Sequence, residues 1–238
     1  MKLNDLAHNQ DKMASFLFYI TIVIIFFTFI VNYRRDVELV EAKDGEKYLV
    51  RKMPDKKQAA DMLSDIKKTL SGVVNNIKTK TGDDLYKIYK IANTNQNILN
   101  HGTISKTDFD NSINRLIKNY NPKACIFSEN IPTSTYTAFT VNKGEEIVFC
   151  LRLKREGDAL VPLNTILFVA LHEITHIMTK SIGHEPEFWN NFAFILKIAI
   201  DDCLYDSVDY SVDTKKYCGI DVTSTPYHQN SPDKCKVK

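Results

Sequence analysis

The sequence predicts an α+β domain, made of helices and a small antiparallel sheet, behind a single N-terminal transmembrane helix. Three observations lead to this prediction. An uncharged apolar segment occupies 14–33, long segments with helical apolar spacing follow it, and two β-rich segments flank the turn at 143–146. With 238 residues and 44% hydrophobic content, the chain is long enough to bury one sizeable core.

Residues 1–13 form a polar N-terminal arm, and the segment 14–33 has the composition of a transmembrane helix. The stretch 14–31 contains no charged residue, Gly or Pro, and two further residues bring it to the roughly 20 that span a bilayer. A buried core helix would show a polar face, and a signal peptide would continue into a small-residue cleavage site rather than Arg34 and Arg35. The excess of Lys and Arg after the segment predicts a single-pass membrane protein whose C-terminal domain faces the cytosol.

The region 34–55 is expected to be a charged juxtamembrane linker, with two short extended pieces around a turn at 43–46. The main domain is expected to occupy 56–230, followed by a tail at 231–238. Apolar residues between Ala59 and Ile77 recur at spacings of three and four, which predicts a core-packing helix that begins at Lys56.

Shorter elements are predicted between this helix and residue 160. Two helices are expected at 83–92 and 106–118. Strands are expected at 124–127, 136–142 and 147–153, with the last two joined as a hairpin. The strand at 147–153 precedes the main motif, so we expect an extended peptide to pair with it.

The segment 164–189 carries the clearest chemical signal. It contains the H-E-x-x-H sequence of His172, Glu173 and His176. The run from about 165 to 180 has no Gly or Pro and is mostly apolar, which predicts a buried helix. Residues four apart lie on the same face of a helix, so both imidazoles can point at one ion.

The residues around this motif complete a predicted zinc site. Glu173 is placed beside the ion, where it can act as general base without being a ligand. Gly183 is expected to stop the helix, and Pro186 suits the first turn of the next helix, to about residue 204. His184 would supply a third imidazole and leave a fourth position open, as catalytic zinc requires.

Two alternatives stand beside this interpretation. An H-E-x-x-H sequence arises by chance in about one chain in a hundred of this size, so the two histidines could be ordinary core residues. Glu185 or Glu187 could replace His184 as third ligand. Trp189 is expected to pack on the zinc helix, and Tyr217 is a candidate to stabilise an oxyanion, with packing as its default role.

Charge and cysteine content exclude other classes of protein. The formal net charge is only +2, and the chain has no long basic run that would bind nucleic acid. Five cysteines, with no C-x-x-C pair, argue against a disulfide-stapled scaffold and a second zinc site. Cys218 and Cys235 could pair, but free thiols are the expectation.

The stretch HEITHIMTKSIGHEPEFW at 172–189 resembles the WLM-type metallopeptidases, in particular the compact forms encoded by large DNA viruses, and more distantly the SprT-type peptidases. The segments 141–152 and 216–220 also resemble that viral group, and the similarity extends over about 59–227. The resemblance implies a zincin-like metallopeptidase domain with Zn²⁺ held by His172, His176 and His184. It also implies Glu173 as the catalytic base.

These observations together predict a membrane-anchored zinc metallopeptidase, an endopeptidase that hydrolyses peptide bonds with a metal-activated water and Glu173 as base. The expected partners are a protein or peptide substrate and a viral or host membrane, without nucleic acid. One alternative is a catalytically idle zincin-fold scaffold for membrane display or protein binding, although such a scaffold has no need of Glu173. The other is a peptidase that repairs DNA–protein crosslinks, which the missing basic face disfavours.

Overall fold

The structure, a computed structural model, describes residues 3–94, 104–154, 157–230, 232 and 235, and the side chains of 3–11, 29 and 32–35 are outside that description. The tail predicted at 231–238 therefore lies almost wholly outside the described residues. The rest confirms the α+β class of the domain.

The described residues contain six helices, and the sequence located five of them well. The helices are α1 (Leu3–Asp36), α2 (Lys56–Thr79), α3 (Gly82–Thr94), α4 (Lys106–Asn119), α5 (Leu163–Met178) and α6 (Pro186–Asp201). The strands are β1 (Val37–Glu41), β2 (Lys47–Arg51), β3 (Ile126–Glu129), β4 (Ala138–Val141), β5 (Glu146–Phe149), β6 (Lys215–Tyr217) and β7 (Ile220–Val222).

The main sheet is mixed, so the prediction of an antiparallel sheet is wrong in this respect. Its five strands lie in the order β1-β2-β3-β5-β4, and both β2–β3 and β3–β5 pair in parallel. Helices α2 to α4 connect β2 to β3, and parallel neighbours need a long crossover of this kind. Strand β5 is an interior strand and β4 is an edge strand, so a peptide cannot add to β5 as we expected.

Helix α5 runs through the centre of the core. It packs against α2, α4 and α6, and nearly all of its side chains are buried. A helix that is apolar on all sides is stable only when it is surrounded in this way. The buried positions of α2, from Ala59 to Ile77, form one layer of the same core, as the apolar spacing predicted.

The N-terminal region differs from its prediction. None of the helices in the described part of the chain has an apolar stretch long enough to cross a membrane, which contradicts the transmembrane helix at 14–33 and the single-pass, cytosol-facing arrangement. Strands β1 and β2, within the stretch predicted as a linker, pair with each other and join the main sheet.

Two disulfides replace the free thiols that the sequence suggested. Cys150 is bonded to Cys218, and Cys203 is bonded to Cys235, while Cys125 is a buried free thiol. The partners are 68 and 32 residues apart along the chain, so spacing alone could not identify them. The first disulfide fastens the β6–β7 hairpin to the residue that follows β5.

Candidate metal centre

Helix α5 places His172 and His176 one turn apart on the same face. Their Nε2 atoms are 3.2 Å apart, and both rings are partly exposed to the cleft beside the helix. All the other side chains from Thr165 to Met178 are buried, so the helix cannot rotate these rings away without exposing its apolar side chains. The convergence of the two imidazoles therefore follows from the packing of the whole helix.

The bend after α5 brings His184 to the same point. Helix α5 ends at Met178, earlier than the predicted stop, and Gly183 then adopts a left-handed conformation with φ of 91°. Helix α6 begins at Pro186, as predicted. The Nε2 atom of His184 lies 2.9 Å from that of His172, and one donor nitrogen from each of the three histidines lies within 4.8 Å of the others.

These distances fit a bound cation better than hydrogen bonds between the rings. A neutral imidazole nitrogen carries either one hydrogen or one lone pair, so Nε2 of His172 cannot pair well with two neighbours at once. Ligand nitrogens about 2.0–2.1 Å from a tetrahedral zinc are roughly 3.4 Å apart, which is close to the separations in this cluster. The donor set is therefore of the right kind and nearly the right size for zinc.

The protonation state of the three rings also suits metal binding. Burial, and then the neighbouring imidazoles, lower the pKa of His172 to about 3, while burial lowers the pKa of His176 to about 4. Burial lowers the pKa of His184 as well. Neutral imidazoles are the form that coordinates metal ions.

Glu173 lies beside the cluster and is 5% exposed. Burial raises the pKa of its carboxyl to about 7, and a hydrogen bond from Thr140 partly opposes this rise. The Thr140 hydroxyl donates to Oε2 of Glu173 at 3.0 Å. A carboxylate with a pKa near neutrality exchanges protons readily at physiological pH, which is the property a general base needs.

Lys143 holds the end of α5 and the start of the bend. Its ammonium group donates to the backbone carbonyl oxygens of His176 at 2.8 Å, Thr179 at 3.0 Å and Ser181 at 3.4 Å. These acceptors include carbonyls that no further helical turn can satisfy. Lys143 itself has a φ of 57° in the tight β4–β5 turn, so the turn and the bend are fixed to each other.

Glu187 is occupied by a second set of contacts. Its Oε1 accepts from the Arg115 guanidinium at 2.7 Å and from the backbone N–H of Lys180 at 3.2 Å. Arg115 also donates to the carbonyl oxygen of Met178 at 2.9 Å. Glu187 therefore positions the bend, and the cluster contains His184 rather than Glu185 or Glu187.

An aromatic side chain packs against all three imidazoles. The ring of the fully buried Phe188 is 4.7 Å from His172, 4.4 Å from His176 and 4.7 Å from His184. We expected Trp189 to pack on α5. It packs 5.4 Å from Phe188 of its own helix and lines the cleft together with Phe168 and Val169 of α5. Phe188 therefore packs against all three imidazoles, and Trp189 packs against His184, with ring centroids 5.6 Å apart.

Tyr217 is buried and its hydroxyl is engaged. It donates to the carbonyl oxygen of Thr137 at 3.0 Å, and burial, together with the nearby Glu173 carboxylate, raises its pKa. This contact ties the β6–β7 hairpin to the residue before β4. The packing role that we took as the default describes this side chain.

The cleft over the cluster has two sides. The first, here called the polar lobe, has a volume of about 470 Å³ and lies between β4, Lys143 and the bend that carries His184. The second, here called the apolar pocket, has a volume of about 230 Å³ and lies between α5, α6 and the β6–β7 hairpin. Both sides include Thr137, Ala138, His172 and Glu173, so they meet at the histidine cluster.

Sequence reasoning missed the supporting residues of the site. Thr140 and Lys143 reach it because β4 lies next to α5 in space, and the predicted hairpin gave no reason to expect that contact. The β6–β7 hairpin was missed because its strands have three residues each. The sequence feature that could have indicated the hairpin is Gly219 in its two-residue turn, where Cys218 and Gly219 both have positive φ.

Comparison with known proteins places the chain in a family. The WLM domain model matches residues 103–229. Uncharacterized protein R325 of Acanthamoeba polyphaga mimivirus is 33% identical over 176 residues, which cover 74% of this chain and 77% of the relative. Uncharacterized protein 136R of Invertebrate iridescent virus 6 is 38% identical over 34% of this chain and 44% of its own length. Uncharacterized protein 042R of Invertebrate iridescent virus 3 is 36% identical over 35% of this chain and 50% of its own length.

No solved structure matches the chain. Members of the matched family are generally zinc-dependent and metallopeptidase-like, which agrees with the histidine cluster that the fold assembles. The family match and the viral relatives confirm the resemblance found in the motif around α5. The chain belongs to the WLM domain family.

Proposed function

We propose that this protein is a zinc-dependent endopeptidase, in which His172, His176 and His184 hold the metal and Glu173 is the catalytic base. The observation that carries the proposal is the convergence of three neutral imidazoles, two of them 2.9 and 3.2 Å from the third, next to a buried carboxylate. The carboxylate distinguishes this arrangement from a structural zinc site, because structural sites have four protein ligands and no adjacent base.

A zinc ion held by the three imidazoles would supply a Lewis acid that polarises a peptide carbonyl and makes water more acidic. Glu173 accepts a proton from the water that attacks the carbonyl carbon, and it then delivers that proton to the leaving amine nitrogen. Burial raises the pKa of Glu173 to about 7, so the same carboxyl can both gain and lose the proton near neutral pH. Thr140 keeps Oε2 in place during this exchange.

The edge strand β4 is suited to bind the substrate backbone. It pairs with β5 on one side, and it borders the polar lobe together with His172, Glu173 and His176. An extended peptide that adds to a free sheet edge is held by main-chain hydrogen bonds. A peptide bound to β4 in this way passes the histidine cluster with its carbonyl groups close to Glu173.

The test is the Glu173→Gln variant, purified with zinc and incubated with an unfolded protein such as casein. We expect zinc content to remain at one ion per chain, because the substitution changes no proposed ligand, while the rate of cleavage falls by about 100- to 10,000-fold. General base catalysis by one side chain contributes about 10²- to 10⁴-fold, which sets this expectation. Cleavage products are counted by mass spectrometry.

A His184→Ala variant separates the roles of ligand and base. It should lose both zinc and activity, whereas Glu173→Gln should lose activity alone. Cleavage by Glu173→Gln at the wild-type rate would show that another group is the base. Wild-type protein with full zinc content that cleaves no protein would contradict the proposed activity.

A further inference from the structure

The apolar pocket opens next to Glu173, and so next to the peptide bond that the water activated by Glu173 would attack. It shares His172 and Glu173 with the polar lobe, and it then extends away from β4 towards α6 and the β6–β7 hairpin. A peptide that follows β4 has its backbone in the polar lobe. A side chain next to the reacting carbonyl can therefore turn into the apolar pocket.

The walls of the pocket are mostly hydrocarbon. Phe168 and Val169 of α5, Phe192 of α6 and Val222 of β7 line it, together with the ring of Trp189. Asp221 and Ser224 also line it, and both are exposed at the surface. A carboxylate side chain in the interior would lose its water without gaining a Lys or Arg partner from the lining residues, which is strongly unfavourable. An apolar side chain gains free energy in proportion to the area it buries there.

The size of the pocket limits what it can hold. Its volume of about 230 Å³ is below the range of roughly 300–1,000 Å³ that is typical of sites for whole small-molecule ligands. It is closed by the buried rings of Phe192 and Tyr217, which belong to the core and cannot move aside without exposing apolar surface. This space suits one bulky side chain.

We propose that the apolar pocket is the specificity site of this enzyme and binds one large apolar side chain, such as Leu, Met or Phe, beside the cleaved bond. The inference rests on the proposed function, because the side chain is defined by its position next to that bond. It assigns a substrate class: unfolded or extended polypeptides with an exposed apolar residue at the cleavage point.

Trp189 allows the pocket to be tested without cleavage. It is the single Trp of the chain and lines the pocket, so its fluorescence reports occupancy. Zinc-loaded Glu173→Gln protein is titrated with acetyl-Ala-Ala-X-Ala-Ala-Ala-amide, where X is Phe, Leu, Ala or Lys. A hydrophobic pocket distinguishes side chains that differ by one methylene by roughly 10- to 200-fold. We therefore expect the Phe and Leu peptides to bind at least about tenfold more tightly than the Ala peptide.

Val222→Phe, combined with Glu173→Gln, fills the pocket and should abolish this preference. Val212→Phe is the matched control, because Val212 is 84% exposed and does not line the pocket. If Val222→Phe does not fold, Val222→Ala enlarges the pocket instead, and a peptide with X as Trp should gain affinity relative to Phe. Equal binding of Phe and Ala peptides, tighter binding of the Lys peptide, or an unchanged preference in folded Val222→Phe would overturn the proposal.

Cleavage of a random peptide mixture by wild-type protein separates this inference from the proposed function. Enrichment of Leu, Met or Phe at one position flanking the cleaved bonds supports both. Cleavage without such enrichment leaves the peptidase assignment intact and refutes the specificity pocket. Selective binding of the Phe peptide by Glu173→Gln, with no cleavage by zinc-loaded wild type, supports an apolar binding site but refutes both the peptidase assignment and the role of the pocket in cleavage specificity.

Discussion

The two sides of the cleft are built by different means. On the side of the apolar pocket, the β6–β7 hairpin is fixed by the Cys150–Cys218 disulfide and by the buried Tyr217 ring. On the side of the polar lobe, the bend that carries His184 is fixed by hydrogen bonds from Lys143 and Arg115. The wall of the apolar pocket therefore depends on a covalent bond and on burial of apolar surface, whereas the position of the third imidazole depends on charged groups.

The largest effect should come from removing the Cys150–Cys218 disulfide, which fixes the β6–β7 hairpin beside the apolar pocket. A disulfide that closes a loop of this length stabilises a fold by about 4 kcal/mol, so the double variant Cys150→Ser/Cys218→Ser should lose free energy of unfolding of that order. It should also weaken binding of the Phe peptide, because Val222 and Tyr217 then lose their anchor. Urea denaturation and Trp189 fluorescence measure the two effects.

Cys203→Ser/Cys235→Ser is the control for this comparison. Its disulfide closes a shorter loop, with a sequence separation of 32 rather than 68. Because loop-closure entropy grows only with the logarithm of loop length, we expect a slightly smaller loss of stability, with unchanged peptide binding. Burial raises the pKa of the Cys125 thiol to about 12, which keeps it out of thiol exchange in both variants. Equal loss of peptide binding in the two double variants would mean that the first disulfide has no special role at the cleft.

Lys143→Met tests the hydrogen bonds that fix the bend beside the polar lobe. It removes a charged donor from three carbonyl oxygens while keeping most of the side-chain volume, so the bend and His184 should lose their fixed position. Groups that orient metal ligands typically contribute 10- to 100-fold to metal affinity, and we expect a loss of that size in zinc competition titrations. Lys123→Met, on an exposed side chain, should leave zinc affinity unchanged. Wild-type zinc affinity in Lys143→Met would show that the bend holds its shape without the ammonium group.

Thr140→Val tests the hydrogen bond to Glu173, which lines both sides of the cleft. The variant removes the hydrogen bond to Oε2 of Glu173, which holds the pKa of that carboxyl below the value that burial alone would set. We expect about a tenfold loss in kcat and a shift of the acidic limb of the pH–rate profile to higher pH. Thr133→Val, at an exposed position, is the control. A loss of kcat with no shift of that limb would contradict the assigned role of the hydroxyl.

A last effect concerns the pH dependence of the stability of the metal-free protein. The folded-state pKa of His172 is about 3 and that of His176 about 4, below the ordinary 6.5, so the unfolded state binds more protons and stability falls as pH drops below 6.5. Glu173 has the opposite sign. Its folded-state pKa of about 7 lies above the ordinary 4.5, so protonation stabilises the fold as pH drops from 7 to 4.5.

Glu173→Gln removes this compensation. The free energy of unfolding of metal-free Glu173→Gln should therefore fall more steeply than that of wild type between pH 7 and 4.5, by up to about 1.4 kcal/mol per pH unit. Urea denaturation at a series of pH values measures the slopes. Parallel slopes would mean that the carboxyl of Glu173 titrates at its ordinary pKa.

The sequence was a good guide where one element determines the geometry. The apolar run around His172 predicted the buried helix α5, and Pro186 marked the first residue of α6. The positions of the three imidazoles are set by these two helices and the short bend between them. Local patterns were sufficient for identifying the three histidines because they lie within 13 consecutive residues of the chain.

Contacts between distant segments were not predictable in the same way. The parallel pairing of β3 with β5 makes β4 the edge strand, and no local pattern specifies that register. The disulfide partners of Cys150 and Cys203 are chosen by the packed fold rather than by spacing. Thr140 and Lys143 carry no motif of their own, and their roles depend on where β4 lies against α5.

The central claim is that His172, His176 and His184 bind one metal ion. X-ray diffraction at the zinc absorption edge, on crystals of protein purified without chelators, tests it most directly. We expect one anomalous peak per chain, about 2.1 Å from Nε2 of each of the three histidines. A map without a peak at this position, or with the three rings turned away from a common centre, would contradict the claim.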